Sequence, residues 1–361
     1  MDLGTVRAHS GPMETFETLV RAEFAPKNTY LNTASTGLLP ARTVTAMRLA
    51  VESVAAGQPS DMFADVEAAR SSFARLVGVP DRRVATGGSV AVFSGLIAAS
   101  LPSGAEVLTA EADFSSVVNP FHVRGDLKVR AVPLERIAES VRPGTALVAV
   151  SAAQSADGRI ACLEAIGEAA REHGARTYVD VSQAAGWLPV RADAFDFVAT
   201  VAFKWLVCPR GVAFLVVPED LGGLTPVFAG WAAGESPWES CYGPVDRLAR
   251  SARRFDESPG LFAYAGARHS LELVEELGVD RVHAHDLALA ARFRDGLLRR
   301  GHEPVPAPGS AIVSVPGLGG LQAELSRAGV EVSDRAGRLR AAFHLYNTED
   351  DVDRLLDAVP G

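Results

Sequence analysis

From about residue 80 to residue 217, short apolar runs alternate with helix-patterned stretches, and this alternation constrains the fold more than any other feature of the chain. The candidate strands are Glu106–Thr109, Lys128–Val132, Ala146–Ser151, Arg176–Val181, Phe197–Val201 and Val212–Val217. Between them, stretches such as Ser89–Ser100 and Cys162–His173 carry their apolar residues at helical spacing. Strand, helix, strand repeated in this way predicts βαβ units, and so a mostly parallel central sheet with helices on both faces. In such sheets ligands bind outside the carboxyl ends of the strands. The residues that end these strands are where chemistry is expected.

Residues 41–57 and 61–77 read as two helices ahead of the sheet. Residues 218–260 mix Gly, Pro and aromatic residues (Trp231, Trp238, Tyr242) without a regular period, and so long an irregular stretch is more often functional or interfacial than idle. Beyond it Leu261–Leu277 and Asp280–Arg300 are patterned as helices, Ala311–Val315 and Leu339–Leu345 as strands, and Thr348–Val359 as a closing helix. At 361 residues the chain is too long for one ordinary core. The expected organisation is an N-terminal segment (1–30), a large α/β domain (31–250) and a small C-terminal α+β domain (251–361).

A net charge of −9 argues against nucleic acid or an anionic membrane surface as the main partner. The first residues lack the charged and apolar regions of a secretory signal, and no apolar run is long enough to span a membrane. Cys162, Cys208 and Cys241 are odd in number and widely spaced, which fits neither a disulfide framework nor a zinc site. A reducing, cytoplasmic setting is expected. His283 and His285, two apart on a helix, do not share a face, so no metal is expected there.

Three elements carry chemistry. Lys204 lies in Val198-Ala199-Thr200-Val201-Ala202-Phe203-Lys204-Trp205-Leu206-Val207, a segment with no other charge. Such a lysine either buries its stem and sends its head to water, or is desolvated and becomes a nucleophile fit for Schiff-base chemistry. Asp180 ends the strand Arg176–Asp180, where it serves either as an N-cap for Ser182–Trp187 or as the partner of a ligand's protonated nitrogen. In Ala85-Thr86-Gly87-Gly88-Ser89 the glycines admit an anion to the backbone just before a helix start, although a Gly-Gly-Ser turn is common.

Taken in order, with 24 residues from Asp180 to Lys204, these elements resemble the class V aminotransferase and cysteine desulfurase family of fold-type I enzymes that depend on pyridoxal 5′-phosphate (PLP). The resemblance runs from about Tyr30 to Val359. It is strongest in Val179-Asp180-Val181-Ser182-Gln183-Ala184-Ala185-Gly186, Phe203-Lys204-Trp205-Leu206, Pro209-Arg210-Gly211 and Tyr346-Asn347-Thr348-Glu349-Asp350-Asp351-Val352-Asp353. It implies PLP held as a Schiff base on Lys204, with Asp180 at the pyridine nitrogen and Gln183 at the phenolic oxygen. Gly88 and Ser89 would take the phosphate, and Phe114 would stack on the ring. Gln154 and Ser155 fall in a loop that lines the cofactor in relatives. Arg340, six residues before Tyr346, has the spacing of the arginine that holds the substrate α-carboxylate. Ala34 and Ser35 fall in the substrate loop, and Ser258 near a position that reaches across a homodimer.

Two departures matter. Val201 and Phe203 stand where the family often has Ser and His near the phosphate, with Ser89, Ser258 and Arg254 the candidate replacements; an aromatic residue just before the lysine is similar to the isopenicillin N epimerase-like and kynureninase-like branches. Residues 328–338, where desulfurases carry a mobile catalytic cysteine, contain none, which disfavours desulfuration. The implied activity is chemistry at an amino acid's α-carbon, aminotransferase-type first, with β-elimination (a C–S lyase) or epimerisation as alternatives. A non-catalytic PLP-fold binding protein is opposed by Lys204, Asp180 and Arg340 standing together. An α/β hydrolase would need a Gly-x-Ser-x-Gly elbow, which is absent.

Overall fold

The computed structural model describes residues 15–58 and 61–360, so the first half of the expected N-terminal segment lies outside the described residues. Seven strands form the main sheet: β1 (Val84–Gly87), β2 (Glu106–Ala110), β3 (Lys128–Val132), β4 (Thr145–Ser151), β5 (Arg176–Asp180), β6 (Phe197–Val201) and β7 (Ala213–Val216). Their spatial order is β1-β7-β6-β5-β4-β2-β3. Strands β2 to β6 pair in parallel, while β7 runs antiparallel to both its neighbours. The expected fold-type I α/β architecture is present, with one strand reversed.

Burial explains the continuous apolar runs. Leu147, Val148, Ala149 and Val150 in β4, Tyr178 and Val179 in β5, and Val198 and Ala199 in β6 are all buried, as strands covered on both faces must be. The helix Val90–Ser100 has no charged residue, and a helix that is apolar all round belongs in an interior. Its Val90, Phe93, Leu96 and Ile97 share a core with Ala85, Leu147, Tyr178 and Phe197.

A second core serves the small domain. Ile312–Pro316 and Ser333–Arg335 flank Arg338–Ala342, both antiparallel to it. Leu289, Phe293, Val313, Leu339, Phe343 and Leu355 pack there with Leu31. The N-terminal stretch joins the same body, because Thr29–Tyr30 pairs in parallel with Val330–Glu331 and Asn32 bridges to Ala342. The helix Leu261–Leu277 instead packs Tyr264, Leu271 and Val274 into the core that holds Val66, Phe73 and Trp205. Residues 218–260 contain only short 3-10 turns, with Trp231, Trp238 and Phe63 clustered at ring-centroid distances of 5.1 to 5.7 Å. Among the described residues, no helix is long and apolar enough to cross a membrane.

Candidate active site

The carboxyl ends of β5 and β6, the turn after β1 and the hairpin of the small domain surround one cavity of about 530 Å³, within the roughly 300–1,000 Å³ of small-molecule sites. Lys204 lies just past the end of β6, buried at 6% exposure, with Nζ 5.0 Å from the centroid of the Phe114 ring. Burial pulls its ammonium down from 10.5 to about 8; Asp180 opposes this, while Arg340, Arg210 and Arg335 add to it. This lysine does not reach out to water. The desolvated alternative is the one the chain adopts.

Asp180 ends β5 on the same cavity wall and is buried. It accepts hydrogen bonds from the Ser182 amide at 2.9 Å and the Ser182 hydroxyl at 2.5 Å, and Ser182 Oγ in turn accepts from the Val201 amide at 2.9 Å. Residues 182–187 form hydrogen-bonded turns and not the expected helix, so Asp180 is no N-cap; its bonds to Ser182 close a local turn while the carboxylate keeps its place on the cavity wall. Burial raises the Asp180 carboxyl above its ordinary range, against the pull of Ser182 and Lys204.

The glycine turn is braced from behind. Asp256 Oδ1 accepts from the Thr86 amide at 2.8 Å, and its carboxylate pairs with the buried Arg70 at 2.7 Å. The Tyr264 hydroxyl bonds the Gly87 amide at 3.1 Å and carbonyl at 3.0 Å. Gly88 and Ser89 line the cavity, and Ser89 caps the helix by accepting from Val92 N at 3.4 Å. Val92 N is thus taken by Ser89, while the amides of Val90 and Ala91 have no acceptor within the helix, and a helix start of this kind suits an anion. Glu257 already uses one donor of the turn, accepting from Gly88 N at 2.9 Å.

Arg340 sits on the central strand of the small sheet at 1% exposure. It donates from Nε to Ser333 Oγ at 3.1 Å, from Nη2 to Ser35 Oγ at 2.7 Å, and from Nη1 to the carbonyl of Ser155 and to its Oγ at 3.1 Å. None of its partners is a carboxylate. Burial, then repulsion from Arg335, lowers its proton affinity to about 9. Arg340 itself is not part of the cavity lining; Ser35 and Ser155, which are, stand between it and the cavity.

Of the other expected site residues, Ala34, Ser35, Phe114 and Ser155 line the cavity. Gln183 does not: its Nε2 donates to Ala34 O and to Ser155 Oγ, both at 2.9 Å, and its Oε1 accepts from Trp205 Nε1 at 2.8 Å. With its donors spent, Gln183 is a strut behind the wall. Gln154 is buried with Nε2 unpartnered. Val201 and Phe203 line the cavity and offer it only apolar side chains. Ser258 and Arg254 stand away from that lining, so within this chain they do not supply the polar groups that Val201 and Phe203 lack. The hydroxyl of Ser116 is there instead. Behind the lysine, Trp205 O meets His344 Nε2 at 2.9 Å, and His344 Nδ1 meets Asp286 Oδ2 at 3.0 Å, both side chains fully buried. His283 and His285 each contact a backbone carbonyl, of Trp187 and Asn347 respectively.

Two cavity residues given no role from sequence are Arg210 and Arg335. Arg210 stacks 4.0 Å above the Phe203 ring and donates to Thr36 Oγ1 at 2.8 Å. Arg335 reads as a surface arginine until the hairpin register is known. That register opposes Ser333 to Arg340 and Arg335 to Arg338, across a turn with Ala336 at φ 53° and Gly337 at φ 77°. Residues two apart on a strand share a face, so all four stand on one side of the hairpin.

A profile of the family described as aminotransferase class-V matches residues 29–355. The chain is 30% identical to an isopenicillin N epimerase of Amycolatopsis lactamdurans, over 92% of this chain and 95% of that one. It is 27% identical to an uncharacterised aminotransferase of Bacillus subtilis, over 81% and 82%. Among solved structures, the cystine C–S lyase C-DES in complex with its product cysteine persulfide superposes with a TM-score of 0.84 at 21% identity, covering 93% of this chain and 98% of that one. The apo cysteine desulfurase of Thermococcus onnurineus superposes with a TM-score of 0.81, also at 21% identity, over 92% and 93%. At that identity the likeness establishes the fold.

Proposed function

The chain belongs to the class V aminotransferase family of PLP-dependent enzymes, and from that premise we propose that it works at the α-carbon of an amino acid, by aminotransferase-type chemistry, with Lys204 as its single base. The residues suit PLP. Lys204 would hold its aldehyde carbon, Asp180 its pyridine nitrogen, the Phe114 face its ring, and the helix start at Gly88 and Ser89 its phosphate. Bound PLP supplies an electron sink for the pair left on Cα when its proton departs.

The chain's own residues do the rest. Arg340, a buried guanidinium without a carboxylate partner, would take the α-carboxylate in exchange for its bonds to the Ser35 and Ser155 hydroxyls, and so aim the Cα–H bond. Lys204 Nζ, drawn down to about 8, can hold or give up a proton near neutral pH.

The observation that carries the reading is what surrounds that amine. The other ionisable groups lining the cavity are Asp180, Arg210 and Arg335. Asp180 is committed to Ser182, and arginines do not exchange protons at neutral pH. Epimerisation would ask for a second proton carrier on the opposite face of Cα, and the remaining lining is Ala, Gly, Ser, Val and Phe. No cysteine lines the cavity and residues 328–338 carry none, which supports setting persulfide chemistry aside. β-Elimination uses the same single base. Product analysis with a panel of amino acids separates the two: the amine form of the cofactor with a released oxo acid indicates transamination, whereas pyruvate with ammonia indicates elimination. Racemisation of the substrate without either would refute the single-base reading.

The proposed assembly is a cytoplasmic homodimer. Its support is the face of the helix Ala41–Ala55 that carries Val44 and Val51, seven residues apart and each at least half exposed.

A further inference from the structure

Resting on that reading of the site, we propose that Arg335, together with Arg210, binds a second acidic group on the substrate's side chain, so that the preferred substrate is an amino acid with two carboxylates. The hairpin sets up the case. Arg335 and Arg338 are directly opposed across the strands, and like charges so placed repel. Arg338 finds Asp157, with 3.7 Å between Nη1 and Oδ2. Arg335 has no carboxylate within ion-pair distance among the described residues; it donates to its neighbour's backbone, Asp334 O, and to Ser35 Oγ at 2.9 Å.

Ser35 Oγ is the key atom. It receives Arg335 Nη2 and, at 2.7 Å, Arg340 Nη2, while donating to Asn32 Oδ1 at 2.7 Å. Two guanidinium groups thus converge on one hydroxyl at the cavity wall, and the outer depresses the proton affinity of the inner. One α-carboxylate neutralises one of them. Arg210 lines the same cavity, likewise without an acidic partner among the described residues. Among the described residues the only carboxylate lining the cavity is Asp180, already engaged by Ser182; Glu257 stands behind the lining, on the Gly88 amide. With the cofactor's phosphate met at Gly88 and Ser89, it is the two guanidinium groups that share Ser35 that count toward the substrate, and a second anionic group on the ligand would pair with the one the α-carboxylate leaves. Arg340, buried, is suited to the end of the substrate nearest Lys204. Arg335, exposed at the end of its strand, is suited to the far end.

The test uses the PLP-loaded protein and non-reacting probes, read by the shift each produces in the visible cofactor band. Succinate and glutarate are titrated beside propionate and butyrate, in wild type and in Arg335→Gln. The expected result is dicarboxylate binding at least about tenfold tighter than monocarboxylate, as one charge-assisted contact provides. Arg335→Gln should weaken dicarboxylate binding by a factor about tenfold larger than any change in the monocarboxylate constants. In turnover, the variant should raise KM for L-aspartate and L-glutamate by a larger factor than for L-alanine. Equal probe affinities in wild type, or a variant that weakens both classes alike, would overturn the proposal. A yellow protein that turns over no amino acid yet still separates succinate from propionate would refute the α-carbon chemistry and uphold the second anion site.

Discussion

Replacing Gly37 by alanine tests how tightly the substrate loop and the lysine are bound to one another. The Gly37 amide donates to Phe203 O at 2.8 Å, and a Cβ built on Gly37 would stand 2.0 Å from Lys204 O and 3.1 Å from its carbonyl carbon. Real Cβ contacts essentially never fall below 3.0 Å, so the two backbones must part by about 1 Å. Gly37 has no left-handed φ, so alanine brings no backbone strain of its own and the whole effect is separation. Neither side yields freely. Lys204 O accepts from Val207 N at 3.2 Å, and Trp205, Leu206 and Val207 are buried around it. Overpacking of this kind costs about 1–3 kcal/mol of stability, and a misplacement of about 1 Å at a reacting group lowers turnover about a hundredfold. Gly37→Ala should therefore keep its visible cofactor band, lose kcat by about two orders of magnitude, and unfold at lower urea concentration than wild type. A variant with kcat within about twofold of wild type would show that the lysine's position does not depend on this contact.

Three further outcomes are expected. Borohydride should abolish the visible band of the PLP-loaded protein and leave the label on Lys204, while Lys204→Ala should bind PLP without turnover; a label elsewhere would remove the lysine from its role. Arg340→Ala should raise KM for amino acids about tenfold or more, the worth of a charge-assisted pair, and an unchanged KM would mean the α-carboxylate is held elsewhere. Because Lys204 falls from 10.5 to about 8 on folding, its neutral amine predominates only above that pH. The rate of PLP loading into cofactor-free protein should then climb about tenfold per pH unit up to about 8 and level off beyond. Between about 8 and 10.5 the unfolded chain binds more protons than the folded one, so the cofactor-free protein gains stability as pH rises through that window. A loading rate independent of pH from about 6.5 to 9 would contradict the depressed lysine.

Much of the fold is legible in the chain because buried parallel strands leave continuous apolar runs and their last residues face the ligand. Asp180, Lys204, Phe114 and Ser89 are reachable on those grounds together with the family resemblance. What escapes depends on pairing. Val84–Gly87 reads as a turn, being four residues long and ending in glycine, and becomes a strand only through its pairing with Ala213–Val216. The reversal of that strand leaves no mark on hydrophobicity. Pro120 interrupts the pattern of Ser115–Val123, which nonetheless folds as a helix. Arg335 looks like any exposed charge until the register of its hairpin sets it on the face of Arg340. The resemblance assigns Gln183 to the cofactor; the donors that role requires are taken by Ala34 and Ser155, a competition no local pattern records.

The link from Trp205 to His344 and Asp286 has a consequence that proton counting brings out. A peptide carbonyl offers only lone pairs, so the imidazole nitrogen facing Trp205 O must carry a hydrogen. One more proton lies between the other nitrogen and Asp286. Whichever atom it rests on, the pair sums to zero charge. Burial favours the form with neither partner ionised, pulling His344 down to about 3 and pushing Asp286 well up. The tether is therefore electrically silent. It fastens the peptide after Lys204 to the helix Val279–Arg299 without altering the field in which the lysine titrates. An ordinary histidine would change charge between about pH 5 and 8; drawn down to about 3, this one gains no proton there.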